Sequence, residues 1–223
     1  MCGRFSLTAP IEEIVEYFNL INGDELDYEI SYNIAPSQNI LSIVSDGKNN
    51  RGGYLKWGLV PAWADNPSIG YKMINARAET IDQKVSFRNL LQRRRCLIVA
   101  DGFYEWKKDQ KGNKQPFRIV RKEKGLIAFA GLWDRWEKEG IVLQTCTIIT
   151  TTPNEIMQEI HNRMPVILPK EAHKIWLDRN MQDKMELKSL LTPYPPNDMI
   201  AYEVSPIVNS PKNNQVECIQ PLA

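Results

Sequence analysis

The middle of the chain carries a series of short segments rich in β-branched and aromatic residues, and this series constrains the fold more than any other feature. The segments span residues 96–100, 103–107, 117–120, 126–132 and 141–150, with glycine-containing turns at 111–113 and 122–125. Consecutive segments lie too close together for crossover helices, so the pattern predicts antiparallel hairpins. Further strands are predicted at 40–44, 52–60 and 201–204. Together they favour a mainly antiparallel, barrel-like β core.

Helical patterns lie on both sides of this β-rich region. Apolar residues recur at positions 11, 14, 15 and 18, the spacing of one helix face, and Pro10 precedes them as a start signal. Further helices are predicted at 81–95, 154–160, 170–177 and 182–191. The sequence contains no linker, internal repeat or low-complexity stretch. We therefore expect an α+β fold, a single domain over residues 1–223 with the helices at the periphery of the β core.

The formal net charge of +1 hides an uneven distribution of charge. Residues 51–124 contain 17 lysines and arginines against 7 aspartates and glutamates, whereas the rest of the chain contains 11 and 20. A basic centre with acidic flanks suits an anionic partner that docks on one face. The arginine run at 93–95 ends the helix predicted at 81–95, where cations complement the helix dipole. It therefore has a structural interpretation as well as a phosphate-binding one.

Localisation and metal binding are constrained by what the sequence lacks. It has no apolar run of about 18 residues and no apolar core of a signal peptide near its start, so we expect a cytoplasmic protein without a membrane partner. The cysteines are scattered, without a C-x-x-C pair, at Cys2, Cys96, Cys146 and Cys218. This spacing predicts no metal site. Cys96 and Cys146 lie in apolar segments and are expected to be buried.

Cys2 differs from the other cysteines because it follows the initiator Met1 directly. If Met1 is removed, as a small second residue normally permits, Cys2 carries a free α-amine and a thiol on adjacent carbons. An α-amine has an ordinary pKa of about 8, against about 10.4 for a lysine amine, so a useful fraction is nucleophilic at neutral pH. Such an amine condenses with an aldehyde to a Schiff base. The neighbouring thiol can then close onto the imine carbon to give a thiazolidine.

Six motifs occur in order along the chain and carry a resemblance to a known family. They are Met-Cys-Gly-Arg-Phe at 1–5, Tyr-Asn-Ile-Ala-Pro at 32–36, Trp-Gly-Leu-Val-Pro-Ala-Trp at 57–63, Asn-Ala-Arg-Ala-Glu-Thr at 75–80, Arg-Cys-Leu-Ile-Val-Ala-Asp-Gly-Phe-Tyr-Glu-Trp at 95–106, and His-Asn-Arg-Met-Pro-Val-Ile-Leu at 161–168. The chain resembles the SRAP family, the SOS-response-associated peptidase domain proteins that process abasic sites in single-stranded DNA. The similarity runs from residue 2 to residue 221.

The resemblance implies a catalytic group of four residues. Cys2 is the nucleophile, and the aldehyde of a ring-opened abasic site is the electrophile, which gives a thiazolidine DNA–protein crosslink. Asn75 hydrogen-bonds the sugar, Glu105 moves protons during ring opening and Schiff-base formation, and His161 assists proton transfer. Carboxyl and imidazole groups suit these tasks because the environment can tune their pKa values. No cofactor and no metal are implied.

The resemblance also implies a set of DNA contacts. Arginine binds phosphate in a bidentate manner, and an exposed tryptophan can stack on a base. The implied contacts are Arg4, Asn33, Pro36, Trp63, Arg77 and Arg163. The partner is then single-stranded DNA that contains abasic sites. A protein that acts once per lesion has no need for symmetry, so we expect a monomer, associated with the nucleoid when bound to DNA.

Two positions depart from the family pattern. Some relatives carry a second aromatic residue directly after the position of Trp63, where this chain has Ala64. The family often has an aspartate after the motif histidine, where this chain has Asn162. The first departure predicts a weaker aromatic wedge at a duplex junction, and the second predicts altered tuning of His161.

Two other classes of function remain open from the sequence. The first is a cysteine peptidase that uses Cys2 and His161 with Glu105 as the orienting group. The peptidase label of the family could also reflect only removal of its own Met1. The second is a non-catalytic module that binds single-stranded nucleic acid through the basic middle segment. A covalent adduct with abasic DNA separates the crosslinking hypothesis from both.

Overall fold

The computed structural model describes residues 2–222, which form twelve strands and five α-helices with short 3-10 turns between them. The strands are β1 (Phe5–Leu7), β2 (Ser31–Ile34), β3 (Asn39–Ser45), β4 (Asn50–Trp57), β5 (Asn75–Arg77), β6 (Arg95–Ala100), β7 (Gly102–Lys108), β8 (Lys114–Arg121), β9 (Ile127–Lys138), β10 (Ile141–Thr151), β11 (Met164–Pro165) and β12 (Met199–Glu203). The helices are α1 (Ile11–Phe18), α2 (Arg88–Arg93), α3 (Glu155–Gln158), α4 (Lys170–Leu177) and α5 (Lys184–Ser189).

Five strands close into a barrel in the order β4–β3–β6–β9–β10, and β10 returns to β4. All neighbouring strands of the barrel are antiparallel except β4 and β10, which run parallel with Thr145 opposite Lys56. The C-terminal end of β10 extends past β4 and pairs with β5 on one edge and with β11 on the other. The barrel confirms the predicted α+β fold with a mainly antiparallel, barrel-like core.

A second antiparallel sheet, in the order β12–β8–β7–β1–β2, packs against the barrel. Strand β1 joins the two, because the Phe5 ring lies 5.3 Å from the Trp57 ring and 5.8 Å from the Phe129 ring, centroid to centroid. The tryptophan and both phenylalanines are buried. The N-terminal segment is therefore part of the core, and the residues just before Phe5 are held at the junction of barrel and sheet.

The helix predicted at 81–95 is wrong over its first half. Residues 78–80 form a 3-10 turn, residues 81–87 continue as turns, α2 spans only Arg88–Arg93, and Arg95 already opens β6. A helix through this segment would place Ile81 and Val85 on the same face, yet Ile81 is buried and Val85 is exposed. Asp82 and Ser86 occur in the same stretch, and both residue types favour turns over a helix interior.

The remaining elements follow the predictions closely, with small differences. Helix α4 has the predicted bounds, whereas α3 and α5 lie inside their predicted ranges. The strand predicted at 52–60 spans 50–57 and ends before Gly58, whose φ of 128° is incompatible with a strand. Strands β1, β2, β5 and β11 are not predicted from the sequence, since two to four residues are too few to show an alternating pattern.

Within residues 2–222, no helix is long and apolar enough to cross a membrane. The domain bounds of 1–223 stay a prediction.

Candidate active site

A largely buried carboxylate, with its side chain 10% exposed, fixes the strand that follows Cys2. Asp101 lies between β6 and β7, where its Oδ1 accepts a hydrogen bond from the Ser6 hydroxyl and its Oδ2 accepts one from the Thr8 hydroxyl, each at 2.6 Å. The Arg118 guanidinium donates to the same Oδ1 at 3.0 Å. Hydrogen bonds to charged groups are stronger than neutral ones, so this network holds β1, and with it Cys2, in one place.

Cys2 is completely buried, and its thiol interacts electrostatically with the carboxyl of Glu105 in β7. The backbone explains the proximity, because the Tyr104 N–H donates to the Arg4 carbonyl at 2.9 Å and so aligns the start of β1 with β7. Burial raises the pKa of the Cys2 thiol far above its ordinary value, and the Glu105 carboxyl raises it further. The thiol is therefore protonated at neutral pH.

Glu105 is itself buried, on a strand whose other inward residue, Phe103, belongs to the core. Burial raises the pKa of Glu105 to about 7. A carboxyl that titrates near neutral pH is present in both protonation states. It can therefore accept a proton in one step and return it in the next.

His161 follows α3, and its Nε2 lies 4.0 Å from Glu105 Oε2. The Arg163 backbone N–H lies 3.1 Å from His161 Nδ1 and the Arg163 carbonyl 3.3 Å from the same nitrogen, so the Arg163 backbone orients the ring with Nε2 towards Glu105. Burial lowers the pKa of His161, which leaves the ring neutral at neutral pH. Asn162, the departure from the family pattern, is exposed. The described contacts of the ring are thus made with Glu105 and the Arg163 backbone.

Asn75 opens β5, where it lies opposite Ile148 of β10. Its Oδ1 and Nδ2 are both buried, and neither has a hydrogen-bond partner among the described residues. A buried polar atom without a partner costs about 1–3 kcal/mol, so the amide is set up to bond to a ligand. The residue before it, Ile74, accepts a hydrogen bond from the Trp57 indole at 2.9 Å. Asn75 is thereby connected to the core that carries β1.

Arg163 bridges the two segments that flank the end of β10. It donates to both carboxylate oxygens of Glu79, at 2.6 and 3.0 Å, and to the Thr150 carbonyl at 2.7 Å. Thr150 pairs with Arg77 of β5, whose side chain is exposed. The sequence reasoning missed Glu79, although an acid two residues after Arg77 in the same motif was the available signal. A phosphate contact by Arg163 has to compete with this carboxylate.

Arg4 and Asn33 lie in a buried network rather than at the surface. Arg4 Nη1 donates to Asn33 Oδ1 at 2.7 Å and to the Val208 carbonyl at 2.6 Å. The Asn33 amide donates to the carbonyls of Ser210 and Asn213 at 3.0 and 2.7 Å. In this structure the two side chains hold the C-terminal segment against β2. Their contact with DNA stays a prediction.

Trp63 is 58% exposed, on a turn that β9 holds from two sides. The Ala62 N–H donates to Asp134 Oδ2 at 2.8 Å, and the Trp136 indole donates to the Ala64 carbonyl at 2.7 Å. Ala64 is buried against Trp136. The turn therefore presents one indole, Trp63, to solvent and directs the next side chain inward.

Tyr71 is a second exposed aromatic residue that the sequence reasoning missed. It is 71% exposed, on the 3-10 segment Pro67–Lys72. A cavity of about 260 Å³ lies between this segment and the turn at Pro36, and both Tyr71 and Ser37 line it. Pro36 itself is half-buried in that turn. An aromatic residue in a loop without apolar periodicity was the signal that could have indicated Tyr71.

Fold and site together define a class of protein: a closed β barrel with an added sheet, in which the cysteine at position 2 is buried beside a carboxyl–imidazole pair. Within residues 2–222, no group of three or more His, Cys, Asp or Glu side chains is arranged to hold a metal ion. The sequence model of the SOS response associated peptidase (SRAP) family matches residues 1–211. The chain belongs to this family.

Individual relatives agree with the family assignment. The chain is 55% identical over 222 residues to the abasic site processing protein YoqW of Bacillus subtilis, covering 99% of both chains. It is 30% identical to the abasic site processing protein HMCES of Xenopus tropicalis, covering 98% of this chain and 78% of that protein. A crystal structure of a protein from Bacteroides thetaiotaomicron superposes with a TM-score of 0.87 at 28% identity over the whole of both chains.

Proposed function

We propose that this protein processes abasic sites by capturing the ring-opened sugar, in single-stranded DNA, as a covalent thiazolidine on Cys2. The observation that carries the proposal is a cysteine at position 2 buried beside Glu105, whose pKa is raised to about 7. The substrate class is supported by the names of the relatives YoqW and HMCES, both abasic site processing proteins.

The proposed reaction needs the amine of Cys2, and therefore removal of Met1, which lies outside the described residues. The amine attacks the C1′ aldehyde of the opened sugar, and loss of one water gives a Schiff base. The thiol then adds across the C=N bond, with sulfur bonding to carbon and the thiol proton passing to nitrogen. The whole sequence joins protein and DNA with the loss of one water and needs no oxidant or reductant.

The state of the Cys2 thiol favours this order of steps. Burial keeps the thiol protonated, whereas an α-amine has an ordinary pKa of about 8 and is partly neutral at pH 7. The amine is therefore the stronger nucleophile of the two at the start. The thiol reacts second, at a carbon already placed beside it, so that proximity replaces ionisation as the source of its reactivity.

Glu105 and His161 fit the proton transfers that imine formation requires. One proton must leave the attacking amine, and one must reach the departing hydroxyl. Glu105 can accept the first as a carboxylate and deliver the second as an acid, since its pKa is about 7. His161, neutral and with its Nε2 4.0 Å from Glu105 Oε2, can assist these transfers.

The other residues fit the binding of a DNA strand around the lesion. The buried, unpartnered amide of Asn75 suits the hydroxyl or ring-oxygen positions of the sugar. Exposed Arg77 and, against competition from Glu79, Arg163 suit the flanking phosphates. Trp63 and Tyr71 suit stacking on unpaired bases.

A cysteine peptidase is disfavoured by the same observations. A peptidase thiol needs a lowered pKa, usually from a protonated histidine beside it. Here the pKa of the Cys2 thiol is raised by burial, and the Glu105 carboxyl adds to the rise. The His161 ring instead faces Glu105. Limited self-processing at Met1 remains compatible with this proposal.

One assay tests the proposed function against both alternatives. The mature protein is mixed with a single-stranded oligonucleotide that contains one abasic site, and the products are separated on a denaturing gel without borohydride. We expect a stable adduct that is absent with intact DNA and with Cys2→Ala. An equally stable adduct with Cys2→Ala, or with a residue retained before Cys2, would overturn the proposal. Peptide cleavage without an adduct would indicate a peptidase, and only salt-sensitive complexes would indicate a binding module.

A further inference from the structure

A second basic surface lies at the barrel end opposite to Asn75 and Arg163, next to the Asp134 carboxylate that also holds the Trp63 turn. Strands β6 and β10 run in the same direction, since both are antiparallel to β9. The start of β6 at Arg95 therefore lies at the barrel end opposite to the end of β10, where Asn75 and Arg163 are found. The arginine run at 93–95, which the candidate site does not use, thus marks a different surface.

A groove of about 460 Å³ opens at this end, and we name it the arginine groove. Four of the residues that line it are arginines, namely Arg93, Arg94, Arg95 and Arg179. Among the described residues that line it, no side chain carries a carboxylate and none is a lysine. The groove lining is therefore a concentrated positive surface, and its one described ion pair, from Arg94, is made with Asp134 outside the lining.

Arg95 builds the groove and is not available to a ligand. It is buried, and it donates to the Trp176 carbonyl at 2.6 Å and to the Leu91 carbonyl at 2.8 Å, with a further bond to the Asp178 carbonyl. These carbonyls lie at the C-terminal ends of α2 and α4. Arg95 therefore has the structural role that the sequence allowed for the arginine run. It fills that role by donating hydrogen bonds to carbonyls at the ends of two helices, rather than by complementing the dipole of one helix.

The other three arginines face the groove with their charges accessible. Arg93 and Arg179 are exposed, and Arg179 makes one hydrogen bond of 3.2 Å with the Asp46 carbonyl. Arg94 stacks on the Trp133 ring, 4.7 Å from its centroid, and its Nε lies 3.8 Å from a carboxylate oxygen of Asp134 outside the groove. The stacking orders the Arg94 guanidinium before any ligand arrives.

We propose that the arginine groove binds the phosphodiester backbone of single-stranded DNA at a second site, remote from Cys2. Guanidinium groups match phosphate geometry by paired hydrogen bonds, and three accessible ones around a groove suit successive phosphates better than an isolated anion. A strand held at both barrel ends is retained while capture at Cys2 proceeds. The proposal extends the proposed function, but its test uses undamaged DNA and so does not depend on that function.

The test uses the double charge reversal Arg93→Glu/Arg179→Glu, at positions with little structural role. Lys122→Glu/Lys124→Glu is the matched control, with the same charge change on the exposed turn after β8. Binding of an undamaged single-stranded oligonucleotide is measured by fluorescence anisotropy over a range of salt concentrations, with one short and one long oligonucleotide. We expect the groove variant to bind the long strand roughly tenfold more weakly, with a salt slope smaller by about 1.4 for two lost phosphate contacts.

The outcomes distinguish the groove from the candidate site. The short abasic oligonucleotide should form its adduct with both variants at the wild-type rate, because Cys2 is untouched. Equal weakening by the groove and control variants would overturn the proposal, since only overall charge would then matter. Binding of polyglutamate that depends on Arg93 and Arg179, with no effect on DNA, would also overturn it and would assign the groove to an acidic polypeptide. If wild-type protein forms no adduct but still binds undamaged single-stranded DNA through the groove, the proposed function is refuted and the groove proposal stands.

Discussion

Glu105 shows how burial of one side chain is converted into chemical capacity. A carboxyl placed at the surface would have a pKa of about 4.3 and would remain ionised through neutral pH. Buried in β7, Glu105 has a pKa of about 7, which makes it an acid and a base at the pH where an α-amine is also partly neutral. The same desolvation keeps the Cys2 thiol protonated and the His161 ring neutral at neutral pH.

This tuning of Glu105 has a cost in stability that depends on pH. Its pKa is higher in the folded state than in the unfolded state, so the folded state binds more protons and stability falls as pH rises from about 4.5 to 7. Glu105→Gln removes the titration. We expect the stability gain of the glutamine variant over wild type to be larger at pH 8 than at pH 5, by up to about 3 kcal/mol. Urea unfolding of both proteins at the two pH values measures it, and an equal difference at both would contradict it.

The same variant separates catalysis from binding. Glu105→Gln preserves shape and removes the proton-transfer group, so adduct formation should slow by about 100-fold or more. Non-covalent binding of undamaged single-stranded DNA should remain within about twofold of wild type, because the side chain is buried. Single-turnover gel kinetics and anisotropy give the two quantities. Equal loss of both would make Glu105 a structural residue.

Asn75 makes a complementary prediction, because its amide bonds to nothing described in the free protein. Replacing an unpartnered buried polar group by an apolar one of similar size removes a desolvation cost. Asn75→Leu should therefore leave the Tm unchanged or raise it, while adduct formation falls by about tenfold or more. Thr147→Val is the control, since the Thr147 hydroxyl is also buried without a partner among the described residues but has no proposed role. It should be equally tolerated in stability and should not affect the adduct.

At the scale of elements, the outer half of β9 serves to hold an exposed indole in place. Bonds from Ala62 to Asp134 and from Trp136 to Ala64 fix the turn that carries Trp63. A stacking side chain binds better when its turn is already ordered, since less conformational entropy is lost on binding. The buried Ala64 is part of this device, because its small side chain fits against Trp136.

Trp63→Ala should therefore weaken binding of single-stranded DNA without affecting the fold. The expected loss is about 1–3 kcal/mol for one stacked base. Because the indole is exposed, the Tm should stay within about one degree of wild type. Trp136→Phe tests the support of the turn separately, since it removes the hydrogen bond to the Ala64 carbonyl and keeps Trp63. It should weaken DNA binding by less than Trp63→Ala, and unchanged binding would show that the turn needs no support.

The end of β10 provides a prediction about charge competition. Glu79 occupies the Arg163 guanidinium with two hydrogen bonds, so removing its charge frees that guanidinium for phosphate. Glu79→Gln should bind single-stranded DNA more tightly and with a steeper salt slope than wild type. Asp82→Asn is the matched control, because Asp82 pairs with Lys188 at 2.9 Å and carries the same charge. Equal effects of the two variants would show that net charge, not Arg163, is responsible.

The sequence predicted elements well where side-chain pattern decides them, as in α4 and the strands of the barrel. It failed at residues 81–87, where Ile81 and Val85 imitate a helix face but only Ile81 is buried. It also missed β5 and β11, because their pairing with β10 is decided by residues far away in the chain. Pattern within a short window carries no information about such partners.

The residues of the candidate site also divide into those that the sequence predicts and those that it does not. The motif residues Cys2, Glu105 and His161 come together, because β1 aligns with β7 and α3 ends beside it. The Glu79 carboxylate on Arg163 and the exposed Tyr71 were not foreseen, since both depend on tertiary packing. Trp63 was expected to be exposed, and it is.

At the scale of the whole molecule, a net charge of +1 is consistent with two local basic surfaces that are offset by acidic residues elsewhere in the chain. One lies around Arg77 and Arg163 at the end of β10, and the other is the arginine groove at the opposite end of the barrel. Such a distribution gives modest affinity that depends on salt. We propose that permanence of binding comes from the covalent bond formed at Cys2.

Intact-mass spectrometry tests this central claim most directly. The purified protein is measured alone and after incubation with a single-stranded oligonucleotide that carries one abasic site, without any reductant. We predict that the protein alone lacks Met1, and that the adduct has the summed mass of protein and oligonucleotide less one water. Cys2→Ala should give no such species. A retained Met1 together with a normal yield of adduct, or an adduct of the same mass from Cys2→Ala, would contradict thiazolidine capture at Cys2.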